Sequence, residues 1–367
     1  MAAASQRLRK SVPQGRGGVT TAPRGLVYVT DQAPGISRYR RRGGFTYRSA
    51  DGRSLRSPHQ LARIRSLAIP PAYTAVWICP QAEGHLQATG RDARGRKQYR
   101  YHALWRTARD GDKFGRMWEF AFALPRIRER VACDLRAQPG AGKQQVRRHT
   151  LLAALIRLLD TTLIRVGNEA YTRTNGSFGL TTLRNRHARI HGDRIQLSFR
   201  GKSGVARNLS LADARVARIV RTCQAMPGQE LFQFADHDGR LHGIGSADVN
   251  LYLREASGAD FTAKDFRTWH ASVHALALLN RGPHAHVAMD QHQLHAVLVE
   301  VAQRLGNTVT VCRNSYVHPL LLELAASGGL QQRMHDGPKS RRSRLSEDEV
   351  RLLHFLRRVH HPHKRSR

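Results

Sequence analysis

The sequence predicts an α+β protein with a small, β-rich N-terminal domain followed by a larger, mainly helical domain. Two patterns predict this division. Short strand-like runs separated by turn residues occupy the chain from Leu26 to about Trp105. From about residue 112 to 333 apolar residues recur at helical spacing, with one interruption that resembles a group of three strands. A length of 367 residues allows each domain its own core.

The elements of the N-terminal domain, expected over residues 23–108, follow from local patterns. LVYV and FTYR are typical of short strands, PHQLARIRSL has helical spacing, and AVWIC indicates a buried strand. GRDARGRKQYRYHALWR then mixes basic residues with aromatic ones, which suits contact with phosphates together with packing on bases or sugars. An ordinary exposed hairpin is the alternative. The candidate residues for such contacts with nucleic acid are Arg94, Arg96, Lys97, Gln98, Tyr99 and Tyr101.

The helical domain is expected over residues 109–333. TLLAALIRLLDTTLIR carries a strong apolar stripe, so we expect a helix that ends at Arg165. The interruption consists of RHARIH, RIQLSFR and VARNLSL, separated by turns at Gly192-Asp193 and at GKSG. Ile195, Leu197 and Phe199 alternate along its middle strand, which predicts one buried face.

The two ends of the chain are expected to be basic tails. Residues 1–22 lack the apolar stretch of a secretory signal, and we favour a disordered tail over a transit peptide. Residues 334–367 are basic and polar, but SEDEVRLLHFLRR predicts one helix opened by a capping box of Ser346 and Glu349. No apolar run approaches the length of about 20 residues that a membrane span needs.

Charge points to the partner. The formal net charge is +34, and such a surface attracts polyanions, of which nucleic acid is the first to consider. A ribosome-associated protein, or a merely GC-biased composition, is the alternative. Eight of the 61 basic residues are Lys and the other 53 are Arg. Each Lys therefore raises the question of what it does that Arg does not.

Several patterns exclude metal and nucleotide sites. GKSG at residues 201–204 lacks the earlier glycine of a phosphate-binding loop and lies between strands, so Lys202 is expected at a hairpin tip. His270 and His274 lack the glutamate of a zinc-protease motif, and we expect no metal at a further cluster of histidines. HGIGSADVN holds only a fragment of a dinucleotide-binding fingerprint, so Gly243 and Gly245 are expected in a loop and Ser246 as an N-cap. Four scattered cysteines indicate buried reduced thiols; they are Cys79, Cys133, Cys223 and Cys312.

Several stretches, taken together and in this order, resemble the type IB DNA topoisomerases in their short bacterial and poxvirus form. The resemblance runs from about residue 25 to 325, which is most of the chain. The stretches are VYVTDQAPGISR (27–38), IPPAYTAVWICP (69–80), GRDARGRKQYRYH (90–102), LIRVGNEAY (163–171), GLTTLRNRH (179–187), FRGKSG (199–204), KDFRTWHA (264–271), and LGNTV with SYVHP (305–319).

The resemblance implies a clamp of two domains around duplex DNA and a role for each of five residues. Tyr316 would attack a phosphodiester to form a 3′-phosphotyrosyl bond. Arg165 and Arg267 would bind the non-bridging oxygens, and Lys202 would protonate the 5′-oxygen. Many members have His where this chain has Asn307, which can donate a hydrogen bond but carries no charge. Lys264 is a further candidate for a DNA contact.

The residue types suit this chemistry on physical grounds. Paired N–H donors of two guanidiniums can hold the extra negative charge of a pentacovalent phosphorane. A general acid must release a proton, which Lys can do and Arg cannot.

We expect no cofactor, a monomer, and a cytoplasmic protein associated with the nucleoid. The alternatives are a tyrosine recombinase, although Lys264 stands where a recombinase typically has His, and a non-enzymatic basic DNA-binding protein.

Overall fold

The computed structural model describes residues 25–136, 146–236, 238–281, 287–330 and 344–360. The chain divides into two compact units between Asp112 and Lys113. The first unit contains a β-sheet and the second is mainly helical, so the mixed α+β composition predicted from the sequence is confirmed. The predicted tail at residues 1–22 lies outside the described residues.

A five-stranded antiparallel sheet in the order β2-β1-β3-β4-β5 forms the first unit. Its elements are β1 (Ile36–Arg41), β2 (Gly44–Arg48), α1 (Pro58–Ser66), β3 (Thr74–Ile78), β4 (Leu86–Arg91) and β5 (Lys97–Tyr101). Ser57 caps α1, whose buried Ile64 packs against Ile36, Ile78 and Ala88 of the sheet. The predicted strand at LVYV was wrong, because this segment makes only an isolated bridge at Val27.

Among the described residues, the second unit contains ten α-helices, three short 3-10 helices and two small sheets. The helices are α2 (Ala103–Asp134), whose residues from Lys113 onward belong here, α3 (Arg148–Thr162), α4 (Glu169–Asn175), α5 (Ala214–Gln224), α6 (Ser246–Ser257), α7 (Ala263–Leu279), α8 (Gln291–Leu305), α9 (Val309–Ser315), α10 (Pro319–Ser327) and α11 (Glu347–His360). The strands are β6 (Ala188–His191), β7 (Arg194–Arg200), β8 (Ala206–Ala212), β9 (Gln233–Ala235) and β10 (Leu241–Gly243).

Helix α3 lies at the centre of this unit. Ten of its fifteen residues are buried, so it has no polar face of the kind that a surface helix shows. It contacts α5, α6, α7 and the strands β8 and β9. The helix ends at Thr162, three residues before the predicted end, because Leu163 adopts a left-handed conformation with φ of 57°. Arg165 therefore follows the helix on an extended segment.

The three-stranded sheet β6-β7-β8 confirms the predicted strands, with Ile195 and Leu197 buried on the predicted face. The expectation of a single β interruption was wrong, since β9 and β10 form a second short hairpin. Ser246 is also not the N-cap of α6. Gly245 occupies that position, and the Asp248 carboxylate accepts its backbone N–H at 2.9 Å.

Helix α11 and its predicted capping box are confirmed by two bonds between Ser346 and Glu349. The helix packs into the core of the second unit through Leu352, Phe355 and Leu356, which are buried. The sequence predicts the helix but gives no sign of where it packs.

Three of the cysteines are buried free thiols as expected, whereas Cys133 is exposed. In the part of the chain that the structure describes, none of the helices combines the length and the hydropathy that crossing a membrane requires.

Candidate active site

Arg165 lies on a segment that backbone hydrogen bonds hold in place. The carbonyl of Arg165 accepts the N–H of Leu180 at 2.8 Å, and that of Val166 accepts the N–H of Thr181 at 2.6 Å. The segments around Gly167 and Gly179 approach each other so closely that a Cβ at Gly179 would overlap the backbone of Gly167. The side chain of Arg165 is half-buried, and its guanidinium donates to the Gly306 carbonyl at 3.3 Å and to the Asn307 Oδ1.

Arg267 lies on the buried face of α7, with a side chain that is only 5% exposed. Its two terminal nitrogens donate to the carbonyls of Leu163 and, at 2.9 Å, of Leu305. Both carbonyls end helices, where the last C=O groups have no partner within the helix. The Nε–H of Arg267 makes no hydrogen bond to any described residue. A buried guanidinium with an unused donor is suited to bind an anion.

Asn307 directly follows Gly306, the C-terminal cap of α8. Gly306 has a left-handed backbone and closes a Schellman motif, in which the Asn307 N–H donates to the Ala302 carbonyl at 3.0 Å. The side-chain oxygen of Asn307 accepts from Arg165. Its Nδ2 is buried and has no hydrogen-bond partner among the residues described. Burial raises the pKa of the nearby Cys312 thiol, and the Asn307 side chain offsets only part of that rise.

Tyr316 directly follows α9 as its C-cap residue and is half-buried. Ser272 of α7 holds the backbone at this point: its hydroxyl donates to the Tyr316 carbonyl at 3.2 Å and accepts the His318 N–H at 3.0 Å. The Arg267 guanidinium carbon lies 5.2 Å from the centroid of the Tyr316 ring. The Lys113 ammonium of α2 lies 5.6 Å from the same centroid and donates to the Ser315 carbonyl.

The electrostatic environment of Tyr316 favours its ionised form. Burial raises the pKa of the phenol, but the charge and hydrogen bonding of Arg267, followed by the charges of Arg165 and Lys202, outweigh it and lower the pKa below its usual value. Burial and the charge of Arg267 in turn lower the pKa of Arg165 to about 10. The cations therefore repel one another in the absence of a bound anion.

Lys202 lies at the tip of the β7–β8 hairpin, as predicted, with an exposed side chain. The tip is ordered by backbone bonds from Gly201 to Val205 at 2.8 Å and from Gly204 to Gly201 at 3.0 Å. Ser203 adopts a left-handed conformation with φ of 65° inside the turn. The structure therefore places Arg165 in contact with Asn307 and Arg267 in contact with Tyr316, with Arg165 and Lys202 near enough to act electrostatically on Tyr316.

The hairpin β4–β5 in the first unit carries the other predicted site residues. Arg96 binds Asp92 at 2.6 Å, Gln98 donates to the same carboxylate at 2.9 Å, and Lys97 binds Asp31 at 2.5 Å. Arg94 is exposed in the turn.

Alternation along β5 divides these residues between two faces. Lys97, Tyr99 and Tyr101 lie on one face, while Gln98 lies on the other. Tyr99 and Tyr101 stack with ring centroids 6.1 Å apart and are 49% and 36% exposed. Lys264, in the second unit, is exposed in the first turn of α7.

The histidines considered for a metal site have other partners. His270 pairs with Asp160 at 2.7 Å, and His274 contacts Arg304 at 3.2 Å. Among the described residues no three His, Cys, Asp or Glu side chains are placed to hold a metal ion. His284 and His286 lie outside the described residues.

Sequence reasoning missed two residues near this site. Lys113 contacts the carbonyl before Tyr316 and was detectable as one of few lysines in an Arg-rich chain. Arg207 of β8 donates to the carbonyls of Gln303 and Arg304, and nothing in the sequence distinguishes it from the other arginines.

Comparisons with known proteins identify the family of the chain. Residues 102–326 match the family model described as eukaryotic DNA topoisomerase I, catalytic core, and residues 44–92 match that of the bacterial DNA topoisomerase IB N-terminal domain. DNA topoisomerase 1B of Acanthamoeba polyphaga mimivirus is 31% identical over 297 residues, covering 78% of this chain and 86% of the viral protein. DNA topoisomerase 1B of vaccinia virus (strain Copenhagen) is 28% identical over 150 residues, covering 39% of this chain and 45% of the viral protein.

Proposed function

Because the chain belongs to the type IB DNA topoisomerases, we propose that it relaxes supercoiled duplex DNA through a covalent bond between Tyr316 and a single DNA strand. The observation that supports the assignment of residues is the cluster beside Tyr316: Arg267 lies against its ring, Arg165 is near enough for its charge to lower the pKa of the phenol, and Asn307 accepts from Arg165. The comparisons do not favour the tyrosine recombinase or a non-enzymatic DNA-binding protein.

Cleavage begins with the phenol. Its lowered pKa eases loss of the proton to water, and the Tyr316 oxygen then attacks the phosphorus of one phosphodiester. Negative charge accumulates on the non-bridging oxygens as the phosphorane forms. The free Nε–H of Arg267, the guanidinium of Arg165 and the buried Nδ2 of Asn307 are the donors that would meet it.

The second half of the step breaks the bond between phosphorus and the 5′-oxygen. Lys202 donates its proton to that oxygen, so the products are a 3′-phosphotyrosyl ester and a free 5′-hydroxyl. An exposed amine on a hairpin tip can approach the leaving oxygen from outside the cluster of arginines.

Religation reverses these events. The 5′-hydroxyl returns its proton to Lys202 and attacks phosphorus, which displaces Tyr316. The phosphotyrosyl ester retains the energy of the broken bond, so religation needs no ATP. The charge of the transition state is met by side chains of the chain itself, and the reaction as proposed needs no metal.

Binding rests on the basic surface. We propose that the two units close around duplex DNA, and that Tyr99, Tyr101 and Lys97 on one face of β5, with Arg94, Arg96, Gln98 and Lys264, contact it. A net charge of +34 favours this polyanionic partner. We also propose that the protein is a monomer and that it acts on the chromosome in the cytoplasm.

Plasmid relaxation tests the proposed function. We expect supercoiled plasmid to be relaxed with EDTA present and ATP absent. Tyr316→Phe removes only the attacking oxygen and should abolish both relaxation and the covalent adduct seen on denaturing gels, while duplex binding persists.

Tyr28→Phe, which alters an exposed phenol of the first unit, is the control and should behave as the parent enzyme. Adduct formation by Tyr316→Phe would mean that another tyrosine is the nucleophile. Strict dependence on a metal or on ATP would contradict the mechanism.

A further inference from the structure

The C-terminal end of α8 is surrounded by three arginines from three different elements. The last carbonyls of a helix lack partners within it and carry the negative end of the helix dipole. Here the Schellman motif uses the carbonyls of Ala302 and Gln303, and guanidiniums bind Gln303 as well as the carbonyls that follow it. Arg207 of β8 donates to Gln303 and Arg304, Arg267 of α7 to Leu305, and Arg165 to Gly306.

Arg207 differs from the other two because it belongs to the hairpin that carries Lys202. Its Nη1 and Nη2 lie 3.3 Å and 3.0 Å from the carbonyl oxygens of Gln303 and Arg304. Gly306 combines a φ of 63° with a lack of space, because a Cβ there would overlap the Arg207 guanidinium. A Cβ at Gly201 would lie 3.1 Å from the Arg207 Cγ. Two glycines thus allow the side chain to lie between the hairpin and the helix end.

The end of the hairpin has few other attachments. Two attachments join residues 199–207 to the rest of the described chain by hydrogen bonds. On the β7 side, the Phe178 N–H donates to the Arg200 carbonyl at 2.7 Å. On the β8 side, the Arg207 guanidinium donates to carbonyls of α8. Arg200 donates only within the turn, to the Gly204 carbonyl. Arg207 is therefore the side chain that fixes the β8 side of the tip.

We infer that Arg207 is a positioning residue for cleavage: it ties the hairpin to the end of α8 and thereby sets the position of the Lys202 ammonium relative to the scissile phosphate. The inference rests on the proposed function, in which Lys202 is the proton donor. Asn307 directly follows the same helix end, so the tie fixes the hairpin to the element that carries a phosphate-binding residue.

Arg207 does this through geometry and not through proton transfer. An Arg holds its proton at any pH of interest, and both terminal nitrogens of Arg207 are already bonded to carbonyls. Burial and the neighbouring charge of Arg267 lower its pKa. The negative end of the α8 dipole offsets the repulsion between the arginines and keeps them together before DNA arrives.

A substrate with sulfur in place of the bridging 5′-oxygen tests the inference, because a thiolate leaves without needing a proton. On normal DNA we expect Arg207→Gln in the full chain to cleave about 10- to 100-fold more slowly under single-turnover conditions, the scale of a misplaced catalytic group. On the sulfur substrate it should regain most of the parent rate, as Lys202→Ala should. The double variant should cleave normal DNA no more slowly than Lys202→Ala alone.

Arg221→Gln is the matched control. Arg221 also donates to a backbone carbonyl of the same sheet, that of Gly192, but at the opposite end of the hairpin pair. The Arg221→Gln variant should cleave both the normal and the sulfur substrate at the parent rate. Arg207→Lys keeps one donor, so it should slow cleavage of normal DNA less than Arg207→Gln does and should also recover on the sulfur substrate. This variant still tests the inference if Arg207→Gln unfolds below the assay temperature.

The outcomes separate this inference from the proposed function. If Lys202→Ala recovers on sulfur and Arg207→Gln and Arg207→Lys do not, Arg207 acts elsewhere and the inference is wrong. If Lys202→Ala itself fails to recover, the proton-donor role of Lys202 is wrong. Recovery of both, with the control unchanged, supports the tie between the hairpin and α8.

Discussion

Only one of the two polar side-chain atoms of Asn307 has a partner among the described residues, so the roles of the two atoms can be separated by substitution. Its Oδ1 accepts from Arg165, and its Nδ2 is the buried donor without a partner among the described residues. Asn307→Asp keeps the acceptor for Arg165 and removes the donor to phosphate. We expect cleavage to slow by at least about 10²–10³-fold, the usual loss for one donor to a developing oxyanion. Single-turnover cleavage of a duplex measures this.

Asn307→His is the complementary variant. One neutral tautomer of His presents an acceptor to Arg165 and a donor to phosphate, so much of the rate should be retained. Asn307→Ala loses both functions and should cleave as slowly as the variant that lacks the donor. A parent-like rate for Asn307→Asp would show that Asn307 only positions Arg165.

The phenol of Tyr316 offers a prediction that needs no DNA. Its pKa is lowered because Arg267, Arg165 and Lys202 outweigh the effect of burial. Arg267→Gln removes the largest favourable charge while burial remains, so Tyr316 should ionise at higher pH. Titration of phenolate absorbance, taken as the difference from the same protein with Tyr316→Phe, isolates this group among nine tyrosines.

Two further arginines make this titration decisive. Arg165→Gln should raise the pKa of Tyr316 by less than Arg267→Gln does, and it remains informative if Arg267→Gln does not fold. Arg313→Gln is the control, because Arg313 is exposed on α9 three residues before Tyr316. This substitution should change the pKa of Tyr316 little. An unchanged titration in both Arg165→Gln and Arg267→Gln would contradict the electrostatic account.

Single residues also show what sequence reasoning could reach. Arg165, Lys202, Arg267, Asn307 and Tyr316 were each unremarkable in isolation, and only the order of several motifs singled them out. Arg207 was beyond reach, because its role depends on which carbonyls it meets, and 53 arginines dilute any signal from residue type.

At the scale of elements, periodicity predicted helices better than it predicted their ends. The apolar stripe of α3 continues to Leu163, but that residue turns left-handed and its carbonyl accepts from Arg267. A tertiary contact of this kind has no local signal. The same holds for β9 and β10, whose three-residue length is too short for alternation to be recognised.

Helix α11 depends on a buried network of charges. The Arg128 guanidinium donates to Asp160 at 2.8 Å and 3.0 Å and to Glu349 at 2.9 Å and 2.8 Å. The Trp269 indole donates to Glu349 at 3.1 Å. The ring of Phe355 lies 6.0 Å from that of His318, two residues beyond Tyr316. The helix therefore supports both α7 and the segment of the nucleophile.

Glu349→Gln tests this support. Removing the charge leaves Arg128 partly uncompensated in a buried site, and we expect the free energy of unfolding to fall by about 3–5 kcal/mol. Glu347→Gln is the control, since Glu347 is 72% exposed and lies 3.8 Å from Arg351; such surface pairs contribute about 0–1 kcal/mol. Denaturant unfolding of both variants measures the difference, and equal stability would mean that α11 is held by apolar packing alone.

The pH dependence of the same pair has a definite sign. Burial raises the pKa of Glu349, but the hydrogen bonding and charge of Arg128, together with the Ser346 N–H and the charge of His270, outweigh that effect. The pKa in the folded state therefore lies below the ordinary value. Its stabilisation is complete above the pKa of the unfolded chain and is lost as pH falls through the folded value. The gap in stability between the parent and Glu349→Gln should therefore narrow in acid.

The protein combines a net charge of +34 with few buried carboxylates among the residues that the structure describes, and such a balance favours binding through phosphates. The acidic residues that the structure describes are often paired with arginines, as in the Arg128 network, so much of the remaining basic charge is available to phosphate. Binding that depends on phosphates releases counterions and therefore weakens steeply with salt.

The slope of that weakening can be assigned to individual residues. The logarithm of the association constant should fall linearly with the logarithm of salt concentration, by about 0.9 for each phosphate neutralised. Lys264 is exposed in the first turn of α7, one turn from Arg267, so Lys264→Gln should reduce the slope by about 1. Arg254→Gln changes an exposed residue that lies 3.2 Å from Asp260, and the slope should stay at the parent value. Equilibrium binding of a short duplex across a salt series measures both. Equal slopes for Lys264→Gln and the parent would place Lys264 away from the DNA, because a cation that meets a phosphate must release a counterion from it.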